Sequence, residues 1–333
     1  DSVIDYVAAS ETGVENGDEI ANKILAYKIL NIVSDFFIND VVGNLLKLTV
    51  PDSEAVIDYE SFDVDSYDNF YPGMDEFIDE PQGDKVWSLG YGKASVLPDN
   101  FGEKRYAKGA YIPYVYGNEM YKDDDGNYED LMARVIIMND GSGRGNVVFI
   151  SVDAMGLANA DVRLIRAAVK DFAEANNIVS INVSVTHTHS GIDTQGLWTD
   201  IFRKWPKNIF SAFTGLIETE QGTDPEYMEF FYSKVCEAIT EAVGSMTEGT
   251  MTFARKDIGE RYFSNKNRPS TSSLDTELKR FVFTPDDKSV TPTIIVNMSA
   301  HPDVVGLATE DDPTKGHGVS GDYIYYIGET VNN

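Results

Sequence analysis

Residues 146–185 carry the pattern that most narrows the possible folds: an apolar strand, an amphipathic helix and a second strand. Residues 146–152 form an almost continuous apolar run, which is typical of a strand buried on both faces. Apolar residues at helical spacing follow over 157–176, and alternating apolar and polar residues over 181–185 predict the second strand. A βαβ unit with parallel strands has this pattern. We therefore predict an α/β protein with a mixed, largely buried sheet flanked by helices.

Two histidines come directly after the second predicted strand, in the segment 186–191, Thr-His-Thr-His-Ser-Gly. Side chains two residues apart on a strand share a face, so continued extended backbone would point His187 and His189 the same way. Paired imidazoles at a strand end suit a metal ion or a proton-transfer site. The alternative is that one histidine caps the strand and the other is solvated.

Two more residues are predicted at the carboxyl ends of strands. Asp153 ends the first strand, and His301 comes three residues after the predicted strand 293–298. Ligands bind at the carboxyl ends of strands in open α/β sheets, so we expect His301 to join His187 and His189, with Asp153 nearby. Neutral imidazoles from separate strands commonly bind zinc, and three ligands leave a position for water. The alternative role of Asp153 is that of a carboxylate at a helix N-terminus.

Acidic residues outnumber basic ones, with 55 Asp and Glu against 27 Lys and Arg and a net charge of −28. A surface of this sign repels nucleic acids and anionic membrane faces, so we expect neither as a direct partner. The single cysteine, Cys236, excludes an internal disulfide and a cysteine-based zinc site. Strong acidity is common outside the cell, and we expect a secreted or cell-surface bacterial protein.

The chain is predicted to have two parts. Residues 1–83 form an acidic N-terminal region, in which 20–48 have helical apolar spacing and 51–83 form an acidic, aromatic linker that lies on the main domain. Charges within 20–48 disfavour a membrane span, and a membrane anchor is the alternative. Residues 84–333 form the main domain, which opens with a strand at 86–98 whose glycines allow close approach of another backbone.

Residues 191–223, after the histidine pair, are predicted to be an insertion whose aromatic side chains line an apolar substrate pocket or pack locally. Asp224 and Pro225 predict a helix start, because a capping carboxylate precedes proline at the first helical position. Further strands are predicted at 132–138, 250–254 and 281–283.

A hydroxyl, a carboxylate and an imidazole occur close together near the C-terminus, at Ser320, Asp322 and His317. These groups could form a nucleophilic triad. The favoured interpretation is that Ser320 caps the last helix and Asp322 lies in its first turn.

Several of these segments together resemble the neutral ceramidase family. The segment 186–191 is similar to the histidine signature of that family. Supporting similarities occur in the same order along the chain, over about residue 85 to the C-terminus: 92–98, 133–135, 149–153, Asn267 with Arg268, and Met-Ser-Ala-His at 298–301. The resemblance implies a zinc-dependent amidase that cleaves the N-acyl bond of ceramide, giving a fatty acid and sphingosine.

The resemblance also implies roles for single residues. His187 and His301 would be zinc ligands, and His189 would contact the substrate and assist proton transfer. Arg268 would bind the polar head of the substrate, and Gly117 would line the same pocket. The implied partner is a lipid-like N-acyl substrate, with membrane contact only through that substrate.

The sequence departs from the family pattern in two places. The family motif continues Ser-Gly-Pro-Gly-Gly, whereas Ile192 and Asp193 follow Gly191, which changes the pocket wall. The remaining zinc ligands of the family, a Glu and a Tyr, lie well downstream of the second histidine, so we expect the rest of the polypeptide to continue after residue 333. Half a metal shell should bind zinc weakly. Alternatives are a zinc hydrolase of another amide or ester, and a catalytically inactive surface or binding protein.

Overall fold

The structure is a computed structural model of the 333-residue chain. Apart from single positions between 25 and 41, it describes residues 86–104, 106–107, 116–117, 119–120, 122–197, 201–215, 222–263, 274–305 and 318–332. The predictions for residues 1–83, Arg268 and His317 therefore lie outside the described residues. The chain divides into two compact units, Asp1–Phe62 and Asp63–Asn333. Every helix and strand described in the following paragraphs belongs to the second unit. No helix among the described residues is long and apolar enough to cross a membrane.

A seven-stranded mixed sheet forms the centre of the second unit. In spatial order its strands are β10 (Thr293–Asn297), β9 (Glu277–Pro285), β8 (Thr247–Asp257), β1 (Trp87–Ser95), β5 (Met132–Asn139), β6 (Asn146–Val152) and β7 (Ile178–Val185). Within this sheet β6 and β7 pair in parallel, and the five other neighbouring pairs are antiparallel. The predicted α/β class, the mixed sheet and the parallel strands of the βαβ unit are confirmed.

Two small sheets and five helices complete the described elements. The small sheets pair β2 (Tyr106–Ala107) with β3 (Tyr116–Gly117), and β4 (Glu119–Met120) with β11 (Gly318–Val319). The helices are α1 (Asn159–Ala168), α2 (Lys170–Ala175), α3 (Ile201–Thr214), α4 (Pro225–Gly244) and α5 (Tyr323–Asn332), with a 3-10 turn at Glu260–Tyr262. The single helix predicted over 157–176 is interrupted at Val169.

Helix α4 begins as its sequence predicts and packs on the centre of the sheet. Asp224 precedes it and accepts a hydrogen bond from the Tyr227 N–H at 3.1 Å, which satisfies one of the free donors at the helix start. A Cβ on Gly92 of β1 would clash with the Ala238 carbonyl oxygen of α4. The predicted close backbone approach at this strand is therefore confirmed. The side chains buried between helices and sheet include Val135, Ile137, Val148, Ile150, Ile165, Phe231, Val235 and Ile239.

Strand β8 divides the sheet into two parts. Its first three residues pair with β1, whereas residues 249–257 pair with β9. Further along β1, helix α4 takes the place of a strand: the Tyr91 N–H donates to the Ser245 hydroxyl at 2.8 Å, and the Lys93 N–H donates to the Glu241 carboxylate at 2.7 Å. We call β1, β5, β6 and β7 the helix-covered half, and β8, β9 and β10 the meander.

Candidate metal centre

Three histidine side chains converge at one point of the second unit. The possible ligand atoms of His187, His189 and His301 all lie within 4.8 Å of one another. The ring centroids are 5.1 Å apart for His187 and His189, 4.8 Å for His187 and His301, and 4.7 Å for His189 and His301. The structure therefore brings together the three histidines that the sequence placed after strands, and such a group could hold a metal ion.

The two histidine segments come from opposite edges of the sheet. His187 follows β7, one outer strand, and His301 follows β10, the other. Five antiparallel pairings separate these strands, so β10 runs opposite to β7, and a flat sheet would hold their carboxyl ends far apart. Since the rings are in contact, the meander turns back toward the helix-covered half. The prediction that these histidines follow strands ending at the same edge of the sheet is therefore wrong.

His187 has a left-handed backbone, with φ of 65°. The expected continuation of extended geometry through the histidine pair is therefore wrong. The segment stays bonded to the chain that follows β6, because the Thr186 N–H donates to the Val152 carbonyl at 2.9 Å and the His187 N–H donates to the Ala154 carbonyl at 3.0 Å. Histidine is among the residues that adopt this conformation more readily than most.

The tautomer of His187 follows from its ring contact. Nδ1 of His187 lies against the Met155 carbonyl oxygen. A carbonyl only accepts hydrogen bonds, so Nδ1 carries the proton and Nε2 keeps the lone pair that a metal needs. Metal-binding histidines are commonly oriented by such a second hydrogen bond. The sequence holds no signal for this partner, because it is a backbone carbonyl.

His189 is the buried member of the group, at 4% exposure, whereas His187 and His301 are exposed. Burial lowers the pKa of His189, the neighbouring imidazoles of His301 and His187 lower it further, and Asp303 opposes the shift. The neutral ring is therefore favoured near neutral pH, and neutral imidazole is the form that binds a metal or accepts a proton. The backbone N–H of His189 donates to the Pro302 carbonyl at 3.4 Å, and this bond links the two histidine segments.

Asp153 is fully buried, and its carboxylate is bonded to β5. Oδ2 accepts from Arg134 at 2.7 Å and from the Met132 N–H at 3.0 Å. Burial raises the pKa of Asp153, while the Arg134 guanidinium acts in the opposite direction. Helix α1 begins only at Asn159, so the carboxylate is not a helix cap. Asp153 joins β5 and β6 beside the His187 segment, and sequence reasoning missed its partner Arg134.

Two further predicted residues have different outcomes. Gly117 lies in β3, opposite Tyr106 of β2. Arg268 lies outside the described residues. Their predicted roles in substrate binding stay predictions.

Ser320 and Asp322 form a buried network at the start of α5. The Ser320 hydroxyl donates to the Glu129 carboxylate and accepts from the Asp322 N–H, the latter at 2.8 Å. Asp322 immediately precedes α5 at Tyr323, so its predicted place in the first turn is wrong by one residue. The Ser320 hydroxyl bonds to no residue of the helix in these contacts, so the predicted helix cap at Ser320 is also wrong. Its bonds are structural, and Glu129 is a partner that the sequence analysis missed.

Comparisons with known proteins give fold-level neighbours alone. No protein-family model matches the chain, and no curated protein matches it. Two solved structures with similar folds are a ceramidase complexed with C2 and the neutral ceramidase from Pseudomonas aeruginosa, each 14% identical, with TM-scores of 0.48 and 0.44. Each likeness covers 72% of this chain and 34% of the other, so the chain spans about a third of the length of these structures. Both structures are ceramidases, and a likeness at this identity and TM-score assigns no activity to this chain.

Proposed function

We propose that this chain carries the histidine part of a zinc-dependent amidohydrolase, which cleaves the N-acyl amide bond of ceramide-like lipids to a fatty acid and a sphingoid base. The observation that carries the proposal is the convergence of His187, His189 and His301 from opposite edges of the sheet. The segments 186–191 and 298–301, which resemble the neutral ceramidase signatures, are the segments that meet there.

The donor set fits zinc. Imidazole nitrogens are common zinc ligands, and the Met155 carbonyl keeps Nε2 of the neutral His187 ring available. When bound, zinc supplies Lewis-acid polarisation of an amide carbonyl and makes water acidic enough to attack near neutral pH.

We assign different roles to the exposed and the buried histidines. His187 and His301 would hold the metal, since both are exposed to solvent. His189 would take a proton from the attacking water at a ring nitrogen and pass it to the amine nitrogen as the amide C–N bond breaks. Its lowered pKa keeps the ring neutral before the reaction. Arg268 would bind the polar head of the substrate, and Gly117 would line the same pocket.

The first test is zinc binding by a polypeptide that continues past residue 333 to include the remaining ligands, called the parent chain, and by three variants of it. We expect zinc binding near one ion per chain, weakened at least tenfold in His301→Ala and in His187→Asn, where asparagine tolerates the left-handed backbone. His189→Gln should keep the zinc and lose amide hydrolysis. Titration calorimetry and elemental analysis measure the metal. No zinc in the parent chain would refute the proposed hydrolase.

The second test separates the candidate functions by substrate. Release of fatty acid from N-acylsphingosine supports the ceramide-like substrate. Hydrolysis of a short N-acyl amide or ester, without hydrolysis of the sphingolipid, supports a zinc hydrolase of another class. Zinc binding with no hydrolysis of either substrate supports a catalytically inactive binding protein.

A further inference from the structure

The first residue of helix α5 and the residue before it hold the His301 segment on both sides of the histidine. The Tyr323 hydroxyl, in the first residue of the helix, donates to the Ala300 carbonyl oxygen at 2.7 Å. The Asp322 carboxylate accepts from the N–H groups of Val304 and Val305, at 2.9 and 3.0 Å. His301 therefore lies between two tethers, one residue after the first and three residues before the second.

The same stretch of chain also holds the other histidine segment. The Ser320 N–H donates to the Ser190 carbonyl at 3.0 Å, and the Thr188 hydroxyl donates to the Ser320 carbonyl at 3.3 Å. Ser190 and Thr188 flank His189 in sequence. Residues 320–323 thus contact both segments that carry the converging histidines.

The side chain of Asp322 is suited to this role for three reasons. It is fully buried, and its two oxygens accept three backbone N–H groups, since Oδ1 also bonds to the Tyr323 N–H at 2.6 Å. Hydrogen bonds to a carboxylate are roughly twice as strong as neutral ones. Asp322 has a left-handed φ of 57°, a conformation in which aspartate and asparagine are enriched.

We propose that Asp322 and Tyr323 are positioning residues that fix His301 against His187 and so set the geometry of the metal centre. Neither residue is assigned as a metal ligand. Both act on His301 through the backbone on each side of it. The inference deepens the proposed function and rests on it for the identity of the metal.

Two matched pairs of variants test the proposal. Asp322→Asn removes the negative charge. It keeps the side-chain size, and asparagine also tolerates the left-handed backbone conformation at this position. Its control is Asp123→Asn, because Asp123 also accepts two backbone N–H groups, from Asp125 and Asn127. Tyr323→Phe removes one hydroxyl. Its control is Tyr325→Phe, which removes the hydroxyl that α5 donates to Asp123 at 3.0 Å.

Zinc affinity is measured by titration calorimetry, well below the melting temperature of each variant. We expect Asp322→Asn to weaken zinc binding about tenfold or more, which is the usual effect of losing a group that supports a metal ligand. Tyr323→Phe should weaken it less, and both control variants should bind zinc as the parent does. Parental affinity in both Asp322→Asn and Tyr323→Phe would overturn the proposal. If Asp322→Asn does not fold, Tyr323→Phe decides.

The failure of the proposed function has a separate signature. A parent chain that binds no zinc refutes the hydrolase, and the positioning role is then decided by crystal structures of the parent and Tyr323→Phe. A displaced His301 ring in the variant supports the proposal, and an unmoved ring overturns it.

Discussion

The two halves of the sheet hold their histidines by different means. In the helix-covered half, the backbone N–H groups of Thr186 and His187 donate to the carbonyls of Val152 and Ala154, and the His187 ring contacts the Met155 carbonyl. In the meander, His301 comes after β10 and is held by two side chains of another element, Asp322 and Tyr323. One part of the centre is therefore fixed by the sheet itself, and the other depends on tethers that single substitutions can remove.

The halves also differ in how much of their surface is covered. Alternate residues of β5 and β6 are completely buried against the helices. In the meander, the ring centroids of Phe253 and Phe281 are 4.8 Å apart, but the two residues remain 55% and 39% exposed. Stability should therefore be concentrated in the helix-covered half, whereas the meander should open at lower cost.

The largest expected difference comes from removing one ring from α4, the helix that covers the first half, and one ring from the meander. Phe231→Ala in α4 removes a side chain with 0% exposure and should lower the free energy of unfolding by about 3–5 kcal/mol. Phe253→Ala in the meander removes a ring that is 55% exposed and should cost less than about 1 kcal/mol. Urea unfolding measures both values. Equal losses would contradict the division into a stable and a less stable half.

Zinc should reduce the difference in stability between the helix-covered half and the meander, because it would join the two halves through His187 and His301. At a free concentration of about one hundred times its dissociation constant, a ligand stabilises the state that binds it by about 2.7 kcal/mol. Amide exchange over residues 293–305 should slow on zinc addition, while exchange in α2, Lys170–Ala175, should not. His301→Ala is the control, and the same slowing in that variant would argue against a metal link.

Two glycines give the smallest expected effects, with opposite signs. Gly92→Ala places a methyl group against the Ala238 carbonyl of α4 and should cost about 1–3 kcal/mol, as overpacking does. Gly328→Ala, in α5, meets nothing within 4 Å and should stabilise the helix by about 0.5–1 kcal/mol. Thermal unfolding compares the two. Zinc affinity should be unchanged in Gly328→Ala, because the tethers of His301 remain.

Local patterns predicted the elements better than their arrangement. The predicted strands at 132–138 and 146–152 correspond to β5 and β6, and both bury alternate residues. The burial of 146–152 on both faces, expected from its continuous apolar run, is wrong, because Phe149 is exposed. The interruption at Val169 left no periodic signal. The order of the strands was also not predictable, since pairing between distant segments such as β1 and β8 depends on the packing of the whole domain.

At the site, the sequence identified side chains but not their supports. His187, His189 and His301 were predicted from their places after strands, and the structure brings their rings together. The left-handed backbone of His187 was missed, because histidine carries no signal for it as glycine does. The carbonyl of Met155 was missed because backbone groups are the same in every residue type.

The hydrogen bond between the Thr188 hydroxyl and the Ser320 carbonyl joins residues that are 132 positions apart in the sequence. Contacts of such long separation form after local ones, because the entropy of closing a large loop must be lost before the contact is made. We therefore expect the three imidazoles to be assembled late in folding, after the meander has turned back and α5 has docked. Metal uptake by a refolding chain would then mark the completion of the tertiary structure rather than its start.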